Sequence, residues 1–181
     1  MEEALSKIEK NEDVEGAILL YRESGPDLAD RDVARIMFVL VDYLAERSCT
    51  GQQADKIILH LREIYWDSRE RYSARAGYLF FTGIIITRGE WYFAQNGVDE
   101  AIAYLKKAVE LEPSSLLFQW GYIAMLDQRP TSNSKLKYEL ASGILESNDL
   151  VQWLLDTGAL GKYVLGFIEN NVDSNPDSYA G

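Results

Sequence analysis

The chain is predicted to be all-α: one stack of about 8–10 helices folded back on one another as antiparallel hairpins. Three observations predict it. Apolar residues recur at helical spacing in almost every segment, and no stretch alternates apolar and polar residues as a half-buried strand does. Turn-forming residues punctuate these segments at Gly25-Pro26, Asn96-Gly97, Pro113 and Arg129-Pro130. The 29 residues from Ile85 to Pro113 carry small and bulky residues where two closely packed helices need them. With 181 residues and no long linker, the chain is expected to form one domain over 1–170, followed by a flexible polar tail over 171–181.

Each element has its own reason. A short first helix is expected from Glu2 to Lys10. A second carries Val14, Ala17, Ile18 and Tyr21 on one stripe and stops at Gly25-Pro26, since glycine and proline end helices. Asp30 is placed to cap a third helix reaching about Ser48. That helix is apolar all round from Ile36 to Val41, with Arg31, Arg35, Asp42 and Glu46 as a thin polar face, the pattern of a helix covered by its neighbours. Thr50-Gly51-Gln52-Gln53 has capping-box spacing, and behind it Ala54, Ile57, Ile58, Leu61, Ile64 and Tyr65 form an amphipathic stripe. From about Tyr72 to Gln95 runs the most apolar helix. Its glycines, Gly77, Gly83 and Gly89, each cost up to about 1 kcal/mol against alanine, which close approach of a neighbour offsets. This helix is expected at the centre.

After Asn96-Gly97, the residues Val98, Ala101, Ile102, Leu105, Ala108 and Val109 form a return stripe that Pro113 ends. Ser114 is placed to cap a helix containing Trp120, Ile123, Ala124 and Leu126. Arg129 to Asn133 read as a loop. Three further helices follow, around Leu136–Leu145, Leu150–Asp156 and Tyr163–Glu169.

The residues Ile85, Gly89, Tyr92, Ala101, Leu105, Ala108 and Pro113 resemble one unit of the tetratricopeptide repeat, a helix hairpin of ~34 residues. Five of eight favoured positions match in identity and two carry aliphatic substitutes; Arg88 stands where the family has leucine. Asn11 to Ser24 resembles a degenerate second helix of another unit. The resemblance implies an α-solenoid, a right-handed superhelix whose first helices line a concave groove, and it maps Ile86, Glu90 and Phe93 onto that groove. The lysines and asparagines with which some members clamp a carboxylate are missing there, so a basic or mixed ligand is implied.

Charge narrows the function. The net charge is −11; residues 1–50 and 98–181 each carry 12 acids against 6 bases, while 51–97 carry 5 against 6. Such a field repels nucleic acid and anionic membrane and steers basic partners inward. The same acidity also serves solubility alone. The longest nearly apolar run, Ala76 to Ile86, is 11 residues, against the ~20 that a membrane helix needs. A lone cysteine, Cys49, excludes an intrachain disulfide, and Met1-Glu2-Glu3-Ala4 has no secretory character, so the cytoplasm is expected.

Chemistry is sparse. The single histidine, His60, lies on the edge of an apolar stripe and is expected to be structural; Cys49 reads as a small packed hydrophobe. Ser132-Asn133-Ser134-Lys135 fits S-x-x-K without its companion motifs, and no phosphate-binding glycine loop occurs. No catalytic residue, metal site, cofactor or small-molecule substrate is expected. Aromatic residues make up 12% of the chain, and Trp and Tyr dominate binding hot spots. They concentrate at Glu63–Tyr72 and Glu90–Phe93, where each is either core or an exposed anchor. The candidate partner-binding residues are therefore Asp42, Glu46, Glu63, Trp66, Asp67, Glu70, Ile86, Glu90, Trp91 and Phe93. The expected function is non-catalytic binding of a basic protein, as when an immunity protein neutralises a toxin such as a nuclease. An adaptor holding an extended peptide in its groove is the alternative, and an enzyme with a carboxylate-lined pocket the third.

Overall fold

The computed structural model of the chain describes residues 1–47, 51–93, 97–126 and 134–173. Among these, every regular element is helical: α1 (Glu2–Asn11), α2 (Val14–Ser24), a 3-10 turn (Gly25–Asp27), α3 (Asp30–Glu46), α4 (Gln52–Arg71), α5 (Ala76–Arg88), α6 (Glu90–Phe93), α7 (Gly97–Leu111), α8 (Leu116–Leu126), α9 (Ser134–Glu146), α10 (Asn148–Leu155) and α11 (Gly158–Asp173). No described helix is long and apolar enough to cross a membrane.

Side-chain caps set three of the helix starts. Asp13 caps α2 by accepting from the Gly16 amide at 2.9 Å, and Ser147 caps α10 through the Leu150 amide at 3.4 Å. Two expected caps fall one residue away. Ala29, not Asp30, occupies the cap position of α3, and Asp30 accepts from the next amide, Arg31. At α8 it is Ser115, not Ser114, that accepts from the Phe118 amide. The expected long helix over Tyr72–Gln95 is instead two, because Gly89 leaves helical geometry at φ −154° and the chain restarts as α6. The final helix continues through Asp173, past the expected start of the polar tail. Cys49, the Thr50 capping box, Asn96, the Arg129–Asn133 loop and residues 174–181 lie outside the described residues.

The α5 helix lies at the centre, as its composition predicts. Ten of its 13 residues are buried, and it packs on α3, α6, α7 and α8. Its partner α7 runs antiparallel: Gly97 lies beside Glu90, and further along Gly83 lies beside Ala101 and Leu105. A Cβ on Gly83 would stand 2.7 Å from Leu105 Cγ and 3.1 Å from the Ala101 carbonyl oxygen, so the two backbones meet where only glycine fits. Ala101, Leu105 and Ala108 are fully buried against it.

The C-terminal helix returns to the N-terminal ones. Besides α9 and α10, α11 packs on α3 and α1. A buried ion cluster lies at this junction. Arg35 of α3, expected on a polar face, is fully buried instead; its Nε and Nη2 donate to the two Glu9 carboxylate oxygens at 2.8 and 3.0 Å, and Nη1 donates to Glu2 at 2.7 Å. Gly158, at φ +67°, crosses directly over the pair; a Cβ there would stand 2.7 Å from a Glu9 carboxylate oxygen and 2.8 Å from Arg35 Nη2. One guanidinium thus joins α1 and α3 to the start of α11.

Removing one partner of a buried pair leaves an uncompensated charge, so Arg35→Ala should cost about 3–5 kcal/mol in urea unfolding followed by circular dichroism. Hydrogen bonding to Arg35 lowers the Glu2 pKa. The stability this contributes is complete above the unfolded glutamate pKa, about 4.3, and is lost as pH falls through the lower folded value. Burial raises the pKa of Asp32 and acts with the opposite sign. The acid-side loss of stability should therefore be shallower in Glu2→Gln than in the wild type, as read by melting temperature against pH. At the α5–α7 crossing, Gly83→Val should cost about 1–3 kcal/mol through overpacking, measured in the same way.

Candidate protein-binding surface

The candidate residues separate into three groups by what surrounds them. Two are core. Ile86 is 0% exposed on the central helix, and Phe93 is 2% exposed with its ring edge-on to Tyr65 of α4 at 5.3 Å. Both were expected in a groove, and neither reaches a surface. The repeat template leaves those positions open, whereas here α3 covers α5, and α4 covers α6.

A second group consists of carboxylates already engaged inside the fold. Asp42 and Glu46 accept from Arg88 Nη2 at 2.5 and 2.6 Å. Arg88 also donates to the Tyr163 hydroxyl at 3.3 Å and lies over that ring at 4.7 Å. The residue that departs from the repeat pattern is therefore the one that ties α5 to α3 and α11. Asp67 accepts from the Tyr21 hydroxyl and from Arg71 at 2.6 Å. Burial, and then this carboxylate, hold the Tyr21 hydroxyl protonated well above its usual range. Glu63 lies 2.9 Å from His60 Nδ1. His60 is buried, with Arg22 Nη2 at 3.4 and 3.5 Å from its two ring nitrogens, a packed position between α2 and α4.

The third group is exposed and clusters on α4 and α6. Trp66 is 51% and Trp91 63% exposed, far above the buried Trp120 and half-buried Trp153. Tyr65 ties their helices together, since its ring touches Trp66 and Phe93, each at 5.3 Å, while Trp91 lies edge-on to Tyr92 at 5.4 Å. Arg62 of α4 donates to the Tyr92 carbonyl of α6 at 2.7 Å, and Arg69 lies over the Trp66 ring at 4.8 Å while reaching Glu100 at 3.5 Å. Glu70 of α4 is exposed and Glu90 of α6 half-buried. Sequence reasoning missed two further exposed hydrophobic residues, Leu19 of α2 at 55% and Leu59 of α4 at 57% exposure. Their signal was present: both are large aliphatics standing off the apolar stripe of their helix.

The concavities offer less. A cleft of about 690 Å³ is lined by Tyr78, Phe81, Phe118 and Trp153, with Asp30, Arg31, Arg75, Glu112, Ser115 and Asp149. Its Asp30 and Ser115 accept from backbone amides at helix starts, and it holds neither histidine nor cysteine. Among the described residues no group of His, Cys, Asp and Glu is arranged to hold a metal ion.

Two of the four tryptophans should be open to a collisional quencher, and Trp66→Ala should remove roughly half of the quenchable emission while costing under about 1 kcal/mol of stability, as surface substitutions do. Comparison with known proteins gave no matching family model, no matching curated protein and no matching solved structure.

Proposed function

We propose that the chain is a non-catalytic protein-binding protein, a tetratricopeptide-like stack of helix hairpins whose acidic, aromatic face neutralises a basic protein in the cytoplasm. One observation carries this reading: on α4 and α6 the cations are engaged within the fold while carboxylates are left over. Lys56, Arg69 and Arg71 are paired with Glu15, Glu100 and Asp67, and Arg62 donates to the neutral Tyr92 carbonyl. Asp55 is exposed one turn before Leu59, Glu70 is exposed one turn after Trp66, and Glu90 adjoins Trp91; among the described residues none of the three has such a cation. A face with unmatched negative charge around two exposed tryptophans suits a partner with lysines and arginines around an apolar centre.

A toxin that binds nucleic acid is such a partner, because it must present cations to phosphates. The chain would then act as an immunity protein by placing carboxylates where the phosphates go. The adaptor reading draws less support, since of its three groove positions only Glu90 is not packed in the core.

The test is to co-express the chain with the protein encoded beside its gene and to measure their affinity against salt. A basic partner should bind, and should weaken about tenfold or more between roughly 50 and 300 mM salt, as steering by charge requires. Affinity only for an acidic protein, or binding indifferent to salt, would refute the reading.

A further inference from the structure

The α2 and α4 helices run side by side and in the same direction. Glu15 meets Lys56, Arg22 meets His60, and Arg71 reaches the Gly25 carbonyl at 3.2 Å. On α2, Glu15, Leu19 and Arg22 follow one another at the spacing of a single helix face, and on α4 so do Lys56, Leu59 and Glu63. Glu15 is joined to Lys56 and Arg22 to His60 across the seam, and the exposed Leu19 and Leu59 follow these crosslinks on their own helices. Two turns beyond Leu59 on α4 stands Trp66, and the neighbouring α6 carries the exposed Trp91. Four of the large exposed hydrophobic side chains therefore stand on three neighbouring helices, with α4 packed against both α2 and α6.

Resting on the reading of a basic partner, we infer that this strip, Leu19–Leu59–Trp66–Trp91, receives a cationic amphipathic helix laid across α2, α4 and α6. The spacing fits. Packed helices lie about 8–10 Å apart, and a helix advances about 10 Å in seven residues, so apolar side chains seven apart on a crossing helix meet successive helices of the strip. Three such contacts need a segment of about 15 residues. Charge selects the occupant: Glu23 and Asp55 stand one turn from Leu19 and Leu59, and Glu70 and Glu90 adjoin Trp66 and Trp91, all without a cation of their own among the described residues. A second copy of this chain brings another −11, and an anionic lipid surface brings more negative charge, so both are repelled. Apolar anchors at i and i+7 with lysine or arginine between them satisfy the strip and its border together.

The probe is a synthetic peptide of about 16 residues, leucine and lysine at helical spacing, compared with the same composition scrambled and with a leucine–glutamate version. Binding is read by tryptophan emission and by titration calorimetry, on the wild type and on Trp66→Ala, Leu59→Ser and Leu126→Ser, the last an exposed site on α8. The leucine–lysine helix should bind, about tenfold more weakly to Trp66→Ala and to Leu59→Ser and unchanged to Leu126→Ser, with the scrambled peptide weaker still. Circular dichroism of both variants should match the wild type; should one of them misfold, the other decides. Equal affinity for all variants, or no binding at about millimolar peptide, overturns the docking strip. If whole-partner binding remains salt-sensitive in that case, the wider reading stands. Binding of the leucine–glutamate peptide as tightly as the lysine one would overturn both.

Discussion

The fold depends on one buried cation. Arg35 joins α1 and α3 and meets Gly158 where α11 begins, so a single guanidinium links the first helix of the chain to its last described one. Burying such a charge costs several kcal/mol unless the geometry is excellent. Here it is: both Glu9 oxygens accept in a fork, and Glu2 takes a third donor. The constraint runs outward from there. With glycine at 158 the backbone closes over the pair, and the bulk of any side chain at that position would separate α11 from α3. Further along both helices the Phe38 and Tyr163 rings meet at 5.1 Å.

Arg88 repeats this logic one layer away. It stands at the end of the central helix and gathers Asp42, Glu46 and Tyr163 from α3 and α11. A leucine there would pack one neighbouring helix; an arginine holds two through directional bonds. Asp42 and Glu46 thus share one guanidinium between two carboxylates, and a partner's cation would compete with Arg88 for them.

Periodicity made the all-helical class legible, along with the central position of α5 and the α5–α7 hairpin, since Ala101, Leu105 and Ala108 declare a face with no tertiary information. Helix ends were legible to within a residue or two where a capping side chain was present. What stayed hidden were the pairings between distant segments. Arg35 looked like a surface residue because a charge on a helix is ordinarily solvated, and nothing local shows that Glu9 lies 26 positions earlier in the chain and yet 2.8 Å away. Ile86 and Phe93 were misplaced because an open groove was carried over from the repeat resemblance, while here Tyr65 closes over Phe93. Half of the aromatic face, Trp66 and Trp91, was found because tryptophan stands out in any sequence. Leu19 and Leu59 were passed over because a leucine on a helix reads as core until its stripe is checked.

Seven arginines, 22, 35, 47, 62, 69, 71 and 88, hold acceptors or rings elsewhere in the fold. With 29 acidic against 18 basic side chains, the chain is negative whichever way its cations face. What the arginine bonds add is bracing: Arg62 ties α4 to α6 and Arg69 ties it to α7, fixing the helices that hold Trp66 and Trp91. A rigid aromatic anchor loses little conformational freedom on binding. A fold braced in this way is suited to gripping a cationic surface without first rearranging its own helices.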